Sequence, residues 1–304
     1  MAMVRTRRRA GIRDNERVLG WLLLSPALLY IVLLVGFPFI LAIVYSFTDM
    51  TVGRTTAQFV GFRNYAGIMS SPTFWLAVKN TIWIALITQV FVVVLGSILA
   101  EALLKEFRGK WLVRLLILLP WVAPISLGTI GWLWMLDPIY SVFNWLLREV
   151  GWLAPRGRYI WLGQPDLAMG SIIAVNVWRL LPLATIIIIA GLSSIPQDIH
   201  DAAAMDGAKY LRRQFQITVP LVLPIVLVAV LFGVIFSITD LIVVYMLTRG
   251  GPYDSTQVIA SWAYFTGIQG GDLGDGAAIS LFLFPVLVAI AAAFLHLARR
   301  AEVT

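Results

Sequence analysis

Thr81-Ile82-Trp83-Ile84-Ala85-Leu86-Ile87-Thr88-Gln89-Val90-Phe91-Val92-Val93-Val94-Leu95-Gly96-Ser97-Ile98-Leu99-Ala100-Glu101-Ala102-Leu103-Leu104 carries a single charge, Glu101, near its end. A helix needs about 20 mostly apolar residues to cross a bilayer core, whereas a barrel strand needs about ten that alternate. This run is long and does not alternate, so it reads as a membrane-spanning helix. Five further segments read the same way: Val18–Phe47, Leu112–Met135, Ala168–Leu192, Val219–Leu247 and Gly276–Leu297. The expected fold is therefore all-α and integral to the membrane, with six transmembrane helices.

Composition agrees. Of 304 residues, 60% are hydrophobic and 13% are charged, with a mean hydropathy of +0.88. A soluble domain is about 45–50% apolar and roughly 25% charged. So few charges cannot cover so much apolar surface in water, and lipid must serve as solvent. The chain has no cysteine, which excludes disulfides and thiolate chemistry. Its net charge of +7 does not point to nucleic acid, because the basic residues cluster at the ends of the apolar runs. That is where membrane topology places them.

Those clusters orient the chain. The N-terminal tail holds Arg5, Arg7, Arg8, Arg9, Arg13 and Arg17, and the loop after the second run holds Lys105, Arg108 and Lys110, with Arg114 just beyond. Lys209, Arg212 and Arg213 follow the fourth run, and Arg299 and Arg300 follow the sixth. These regions alternate with three of mixed charge, so both termini are expected in the cytoplasm of a multi-pass inner-membrane protein. The first run is about twice the length of a cleavable signal core and reads as a retained helix. Pro26, Pro38, Pro120, Pro124, Pro182, Pro220, Pro224 and Pro285 interrupt the runs. They fit either ordinary packing kinks or bent helices around a cavity.

Enzyme chemistry is hard to find. The only Gly-Lys pair, Gly109-Lys110, lacks the upstream glycine and downstream hydroxyl of a phosphate-binding loop. His200 and His296 stand apart, and a metal site needs several ligands. No catalytic residue and no metal ligand is assigned.

The informative segment lies between the fourth and fifth runs. Ser194-Ile195-Pro196-Gln197-Asp198-Ile199-His200-Asp201-Ala202-Ala203-Ala204-Met205-Asp206-Gly207-Ala208 continues to Phe215-Gln216-Ile217-Thr218-Val219-Pro220. Pro196 and Asp198 suit the opening of a helix. Three alanines give it a smooth surface, and Gly207 breaks or bends it. One reading is an ordinary solvated connecting helix. The other is a cytoplasmic helix that seats in another protein's groove.

This segment resembles the cytoplasmic coupling loop of bacterial ABC importer permeases, whose pattern is Glu-Ala-Ala, three residues, Gly, nine residues, Ile-x-Leu-Pro. Here the pattern falls on Asp201-Ala202-Ala203, Gly207, Ile217, Val219 and Pro220 with every spacing kept. Asp201 replaces the glutamate and Val219 the leucine. Phe59–Tyr65 and the glycine-rich stretch Leu247–Thr256 are similar to external loops of the carbohydrate branch, which includes trehalose importers. The resemblance covers nearly all of the chain after the N-terminal tail.

The resemblance implies a type I permease fold and a chain that is a transport subunit rather than an enzyme. It implies that Asp201, Ala202, Ala203, Asp206, Gly207, Ile217 and Pro220 couple to an ATPase. The implied partners are a second homologous permease subunit, an ABC ATPase dimer and an extracytoplasmic solute-binding protein. ATP and Mg would be used by the partner ATPase, and this chain would bind no cofactor. The substrate implied is a sugar, a disaccharide such as trehalose. The organisation expected is a cytoplasmic tail at 1–17, a first transmembrane helix at 18–47 and an external loop at 48–80. A five-helix permease core follows at 81–300, with its coupling loop at about 195–218, and a tail at 301–304.

Charges at bilayer depth are costly and are usually paired or functional. Arg179 and Asp240 are two such charges. At about 1.5 Å per residue they lie roughly 17 Å and 10 Å below the outer face, close enough for the arginine to bridge. They read either as a structural ion pair or, with Asn176, Trp178 and Tyr245 nearby, as a site for sugar hydroxyls. Glu101 reads as an interfacial residue. A stand-alone channel, a secondary carrier, or a permease for another solute are the alternatives. No convincing internal repeat supports a carrier.

Overall fold

The computed structural model describes residues 16–302, with side chains described for 17–297. The tail arginines Arg5, Arg7, Arg8, Arg9 and Arg13, the side chains of Arg299 and Arg300, and residues 303–304 lie outside the described residues.

Five helices are long and apolar enough to cross a membrane, or six if one bent pair counts as a single span. In chain order the helices are α1 (Arg17–Ser46), α2 (Arg63–Ser70), α3 (Pro72–Leu104), α4 (Lys110–Val122), α5 (Ile125–Met135) and α6 (Val142–Glu149). They continue with α7 (Pro165–Ser193), α8 (Gln197–Met205), α9 (Tyr210–Ile238) and α10 (Ile242–Leu247). The last are α11 (Ile259–Tyr264), α12 (Leu273–Leu281) and α13 (Leu283–Glu302). Proline starts α3 at Pro72 and α7 at Pro165, where its missing N–H would have no helical partner anyway. Both helices therefore begin before the apolar runs that identify them.

Two of the apolar runs are not single straight helices. The run Leu112–Met135 is divided into α4 and α5, which meet at 98°. Ala123, the residue before Pro124, is extended at φ −65° and ψ 142°, as the proline ring requires of its neighbour. The run Val219–Leu247 breaks after Ile238, and α10 restarts at Ile242. The Asp240 carboxylate accepts the Ile242 N–H at 3.0 Å and the Val243 N–H at 3.3 Å, so this buried acid caps the new helix.

The centre of the bundle is α3 laid along α7, with α9 crossing both. Small residues permit the approach. A Cβ at Gly96 of α3 would meet Thr185, Ala184 and Ile188 of α7 at 3.5–3.7 Å, and one at Gly191 of α7 would press on Ile225 of α9 at 3.2 Å. Without a hydrophobic driving force between helices in lipid, such close packing is what holds spans together. Ile84, Ile172, Val175, Val243 and Val244 form one buried cluster of this core. Val92, Leu180, Ala184 and Ala229 form another, deeper along α3 and α7.

The segment that follows α1 is fastened to this core. Asn64 donates to the carbonyls of Ser46 and Thr48 at 3.0 and 2.9 Å, while Phe47 packs on Phe59, Phe62 and Tyr65. This accounts physically for the stretch Phe59–Tyr65: it folds back on the end of α1. Asp49 accepts the Gln58 N–H at 2.7 Å and pairs with Arg54 at 3.0 Å. The Gln58 N–H, assisted by Arg54, holds the Asp49 carboxyl below its ordinary range.

A close backbone contact joins α12 to the π-helical turn after α11. A Cβ at Gly276 would lie 2.3 Å from the Gly267 Cα, and backbone cannot swing aside as a side chain can. Gly276→Val is expected to destabilise the fold by about 3 kcal/mol. Thermal melting of the detergent-purified protein measures this, and an unchanged midpoint would contradict the packing.

Candidate functional site

Three groups of residues combine exposure, polarity or strain in ways that packing alone does not require. The first is α8 and its exit. Pro196 precedes the helix at φ −59° and ψ 142°, and Asp198 sits in the first turn, where a carboxylate meets the positive end of the dipole. At the other end the Gly207 N–H donates to Ala204 O at 3.0 Å and the Ala208 N–H to Ala203 O at 2.9 Å. With Gly207 at φ +69°, these bonds form a left-handed C-cap that glycine adopts without strain. Asp201 accepts from Gln197 at 3.1 Å along the helix surface.

The exposed side of α8 holds Asp201, Ala202, Ala204 and Met205, and it continues through Asp206 and Gly207. Ala203, grouped with these in the sequence pattern, faces the chain's own interior and is 4% exposed. Ile217 is half-buried and lies in a π-helical turn, Gln214–Thr218, at the start of α9. Pro220 follows that turn as part of α9. The sequence pattern thus spans two elements, a surface helix and the root of a transmembrane one. Sequence reading missed Met205, which is 89% exposed, along with Leu211 and Phe215, also exposed beyond α8. A large apolar side chain left in water at a helix end is the signal that could have found it.

The second group lies where α3, α7 and α9 pack, beside the break at Asp240. Arg179 Nη1 stands 3.5 Å from Asp240 Oδ2, and the Asp240 side chain is 5% exposed against 19% for Arg179. Asn176, one helical turn from Arg179, lies beside the same carboxylate and donates to Ile172 O at 3.1 Å. Along α9 the neighbouring buried groups are Ser237 and, opposite Gly233, the amide of Gln89 from α3. The Gln89 amide, Asn176 Oδ1, Ser237 Oγ and Asp240 Oδ2 have no hydrogen-bond partner among the described residues. Buried polar groups are normally paired, so this seam has unused capacity to donate and accept.

The third group lies around the end of α10. Tyr245 packs against Tyr264 and Phe265, Arg249 stacks over its ring at 5.8 Å, and Gln269 reaches its hydroxyl at 3.4 Å. Beside it opens a polar cavity of about 370 Å³ lined by Thr73, Arg249, Asp254, Gln257, Trp262, Phe265 and Thr266. Asn80 fixes the intervening loop by donating to Ser255 O and Gln257 O at 2.9 and 3.0 Å.

The five residues grouped in the sequence as a substrate site are therefore dispersed. Asn176, Arg179 and Asp240 come together. Trp178 points elsewhere: its indole covers Gly128 and meets Trp132 edge-on at 5.7 Å between centroids. Tyr245 belongs to the third group, packed on Tyr264 and Phe265. Among the described residues no cluster of three metal-ligating side chains occurs.

Comparison with known proteins places this architecture. Residues 92–303 match the family model described as "Binding-protein-dependent transport system inner membrane component". The sulfoquinovosyl glycerol transport system permease protein of Agrobacterium fabrum is 32% identical over 286 residues, covering 94% of this chain and 92% of that one. The trehalose/maltose transport system permease protein of Thermococcus litoralis is 31% identical over 288 residues, covering 95% and 96%. In fold, a solved bacterial ABC transporter involved in the import of the acidic polysaccharide alginate has a chain that superposes with a TM-score of 0.80. That chain is 22% identical, with 95% of this chain and 98% of the other covered. A core of long apolar helices and a family match over residues 92–303 lead to one conclusion: this protein belongs to the binding-protein-dependent transport system inner membrane components, as a permease subunit of an ABC importer and not an enzyme.

Proposed function

We propose that this chain forms half of the translocation pathway for a sugar, with alternating access driven by a separate ATPase that docks on α8. The observation that carries the reading is the exposed, small-residue surface of α8, ended by the left-handed Gly207 cap and the bare Met205. A helix of this kind can approach another protein's surface closely. The relatives' names point to carbohydrate, and the unpaired seam at Gln89, Asn176, Ser237 and Asp240 offers the alternating donors and acceptors that hydroxyls require. Asn176, Arg179 and Asp240 are proposed as contacts to that sugar, and Trp178 and Tyr245 as aromatic surfaces along its path. A disaccharide such as trehalose is the favoured substrate.

The partners proposed are a second permease subunit, an ABC ATPase dimer using ATP and Mg, and an external solute-binding protein. Most apolar side chains of α1 are exposed within this chain, and we infer that the second permease shares that surface with lipid. Purification of the tagged permease from its native membrane tests the reading. It is expected to bring an ATPase whose hydrolysis rises when trehalose and the binding protein are added. Purification without an ATPase would overturn the reading, and stimulation by maltose but not trehalose would redirect the substrate.

We infer from the basic clusters that both termini lie in the cytoplasm. Reporter fusions after Lys110 or Arg213 are expected to report cytoplasm, and fusions near Gly157 or Gly271 the outside. An external signal at Arg213 would overturn the orientation and the docking role of α8 together.

A further inference from the structure

Glu101 occupies the last turn of α3, where the helix dipole disfavours a negative charge. Its carboxylate is nevertheless fully engaged across the fold. The Tyr210 hydroxyl donates to Oε2 at 2.5 Å, and the Gln214 amide donates to Oε1 at 2.5 Å. Tyr210 and Gln214 are four residues apart on α9, hence on one helix face, and each takes one oxygen of the same acid. Hydrogen bonds to an ionised acceptor are the stronger kind. Only Asp206, Gly207, Ala208 and Lys209 separate this contact from the end of α8. Gln214 also opens the π-helical turn Gln214–Thr218, a distortion able to absorb displacement before it reaches the rest of α9.

We propose that Glu101 is a positioning residue that ties the root of α9 to α3, so that movement of α8 is delivered to the transmembrane core rather than lost in the turn. The proposal rests on the reading of α8 as the ATPase dock. Beyond the clamp, α3 and α7 are packed through Gly96 against Ala184 and Ile188, and α7 carries Asn176 and Arg179. A displacement held at Glu101 therefore has a rigid route to the polar seam.

The chain has no cysteine, so a single Ala102→Cys at the exposed cytoplasmic end of α3 gives a clean reporter. Maleimide modification of this thiol is followed in the complete importer in lipid nanodiscs, without nucleotide and with ATP plus vanadate. The nucleotide-dependent change in rate is expected to fall about tenfold in Glu101→Ala, with the same amount of ATPase bound. Glu101→Gln, which keeps length, one acceptor and one donor, is expected to retain most of the response. Tyr210→Phe with Gln214→Ala removes the same contact from the other side and is expected to act like Glu101→Ala, without adding to it. A merely structural tether would change the amount of complex and not its response to nucleotide. A full response in Glu101→Ala or in the paired variant would overturn the proposal, as would loss of bound ATPase in both. If the unsubstituted complex carries no ATPase, the functional reading itself fails.

Discussion

Gly207→Trp is expected to abolish uptake of labelled trehalose and maltose while leaving the permease inserted and folded. Within this chain a Cβ at Gly207 meets nothing within 4 Å, so a side chain there costs no internal packing. Two costs remain. The backbone at φ +69° resists a bulky residue by about 1–2 kcal/mol, and the side chain would project from the α8 exit into the surface proposed for the ATPase. Gly207→Asn separates them, because asparagine tolerates the left-handed conformation and adds only a short side chain. Asn is expected to keep a folded cap and partial uptake, and Trp to keep neither ATPase contact nor uptake. Asp201→Lys, which reverses a charge on the same face, is expected to act more mildly. The decisive measurement is uptake alongside ATPase retained on the purified permease. Full uptake with ATPase normally bound in Gly207→Trp would remove α8 from the coupling role.

Much of this architecture is legible in the sequence because lipid imposes one strong rule. Apolar length shows where the chain can cross. What the rule does not convey is where a crossing bends. Pro124 marks the 98° turn between α4 and α5, yet Pro182 lies inside α7, which continues as one helix. The difference lies in the residue before each proline, extended at Ala123 and helical at Leu181. The Asp240 break is similar. A buried acid can pair, bind or cap, and only the structure shows it capping Ile242 and Val243 while facing Arg179.

The coupling pattern and the substrate group differ in legibility for a related reason. Local spacing sets the α8 helix and its glycine cap, which depend on neighbours within a few residues. Glu101 reads as interfacial because its partners lie 109 and 113 residues away. Trp178 and Tyr245 group with Arg179 and Asp240 by distance along the helix, but proximity in sequence does not fix a face. Asn176 and Arg179 share a face at three residues' spacing. Trp178 is turned toward Gly128 and Trp132 instead.

Removing one charge of the Arg179–Asp240 pair is expected to have the largest effect on stability. The acid is nearly inaccessible and the arginine largely so. Losing one partner leaves the other buried and uncompensated, at a cost of about 3–5 kcal/mol. Asp240→Asn is the informative acid variant, because asparagine still accepts the N–H groups of Ile242 and Val243 as a helix cap and removes only the charge. Arg179→Gln is its counterpart. Each single variant is expected to lower the melting temperature of the purified complex, and the double variant to recover much of the loss. Transport is expected to behave differently. If the seam receives sugar hydroxyls, the double variant remains inactive even where its stability returns, since the ionic donor and acceptor are both gone. If the pair serves packing alone, uptake of trehalose and maltose recovers in step with the melting temperature. Normal uptake and normal melting in both single variants would deny the pair either role.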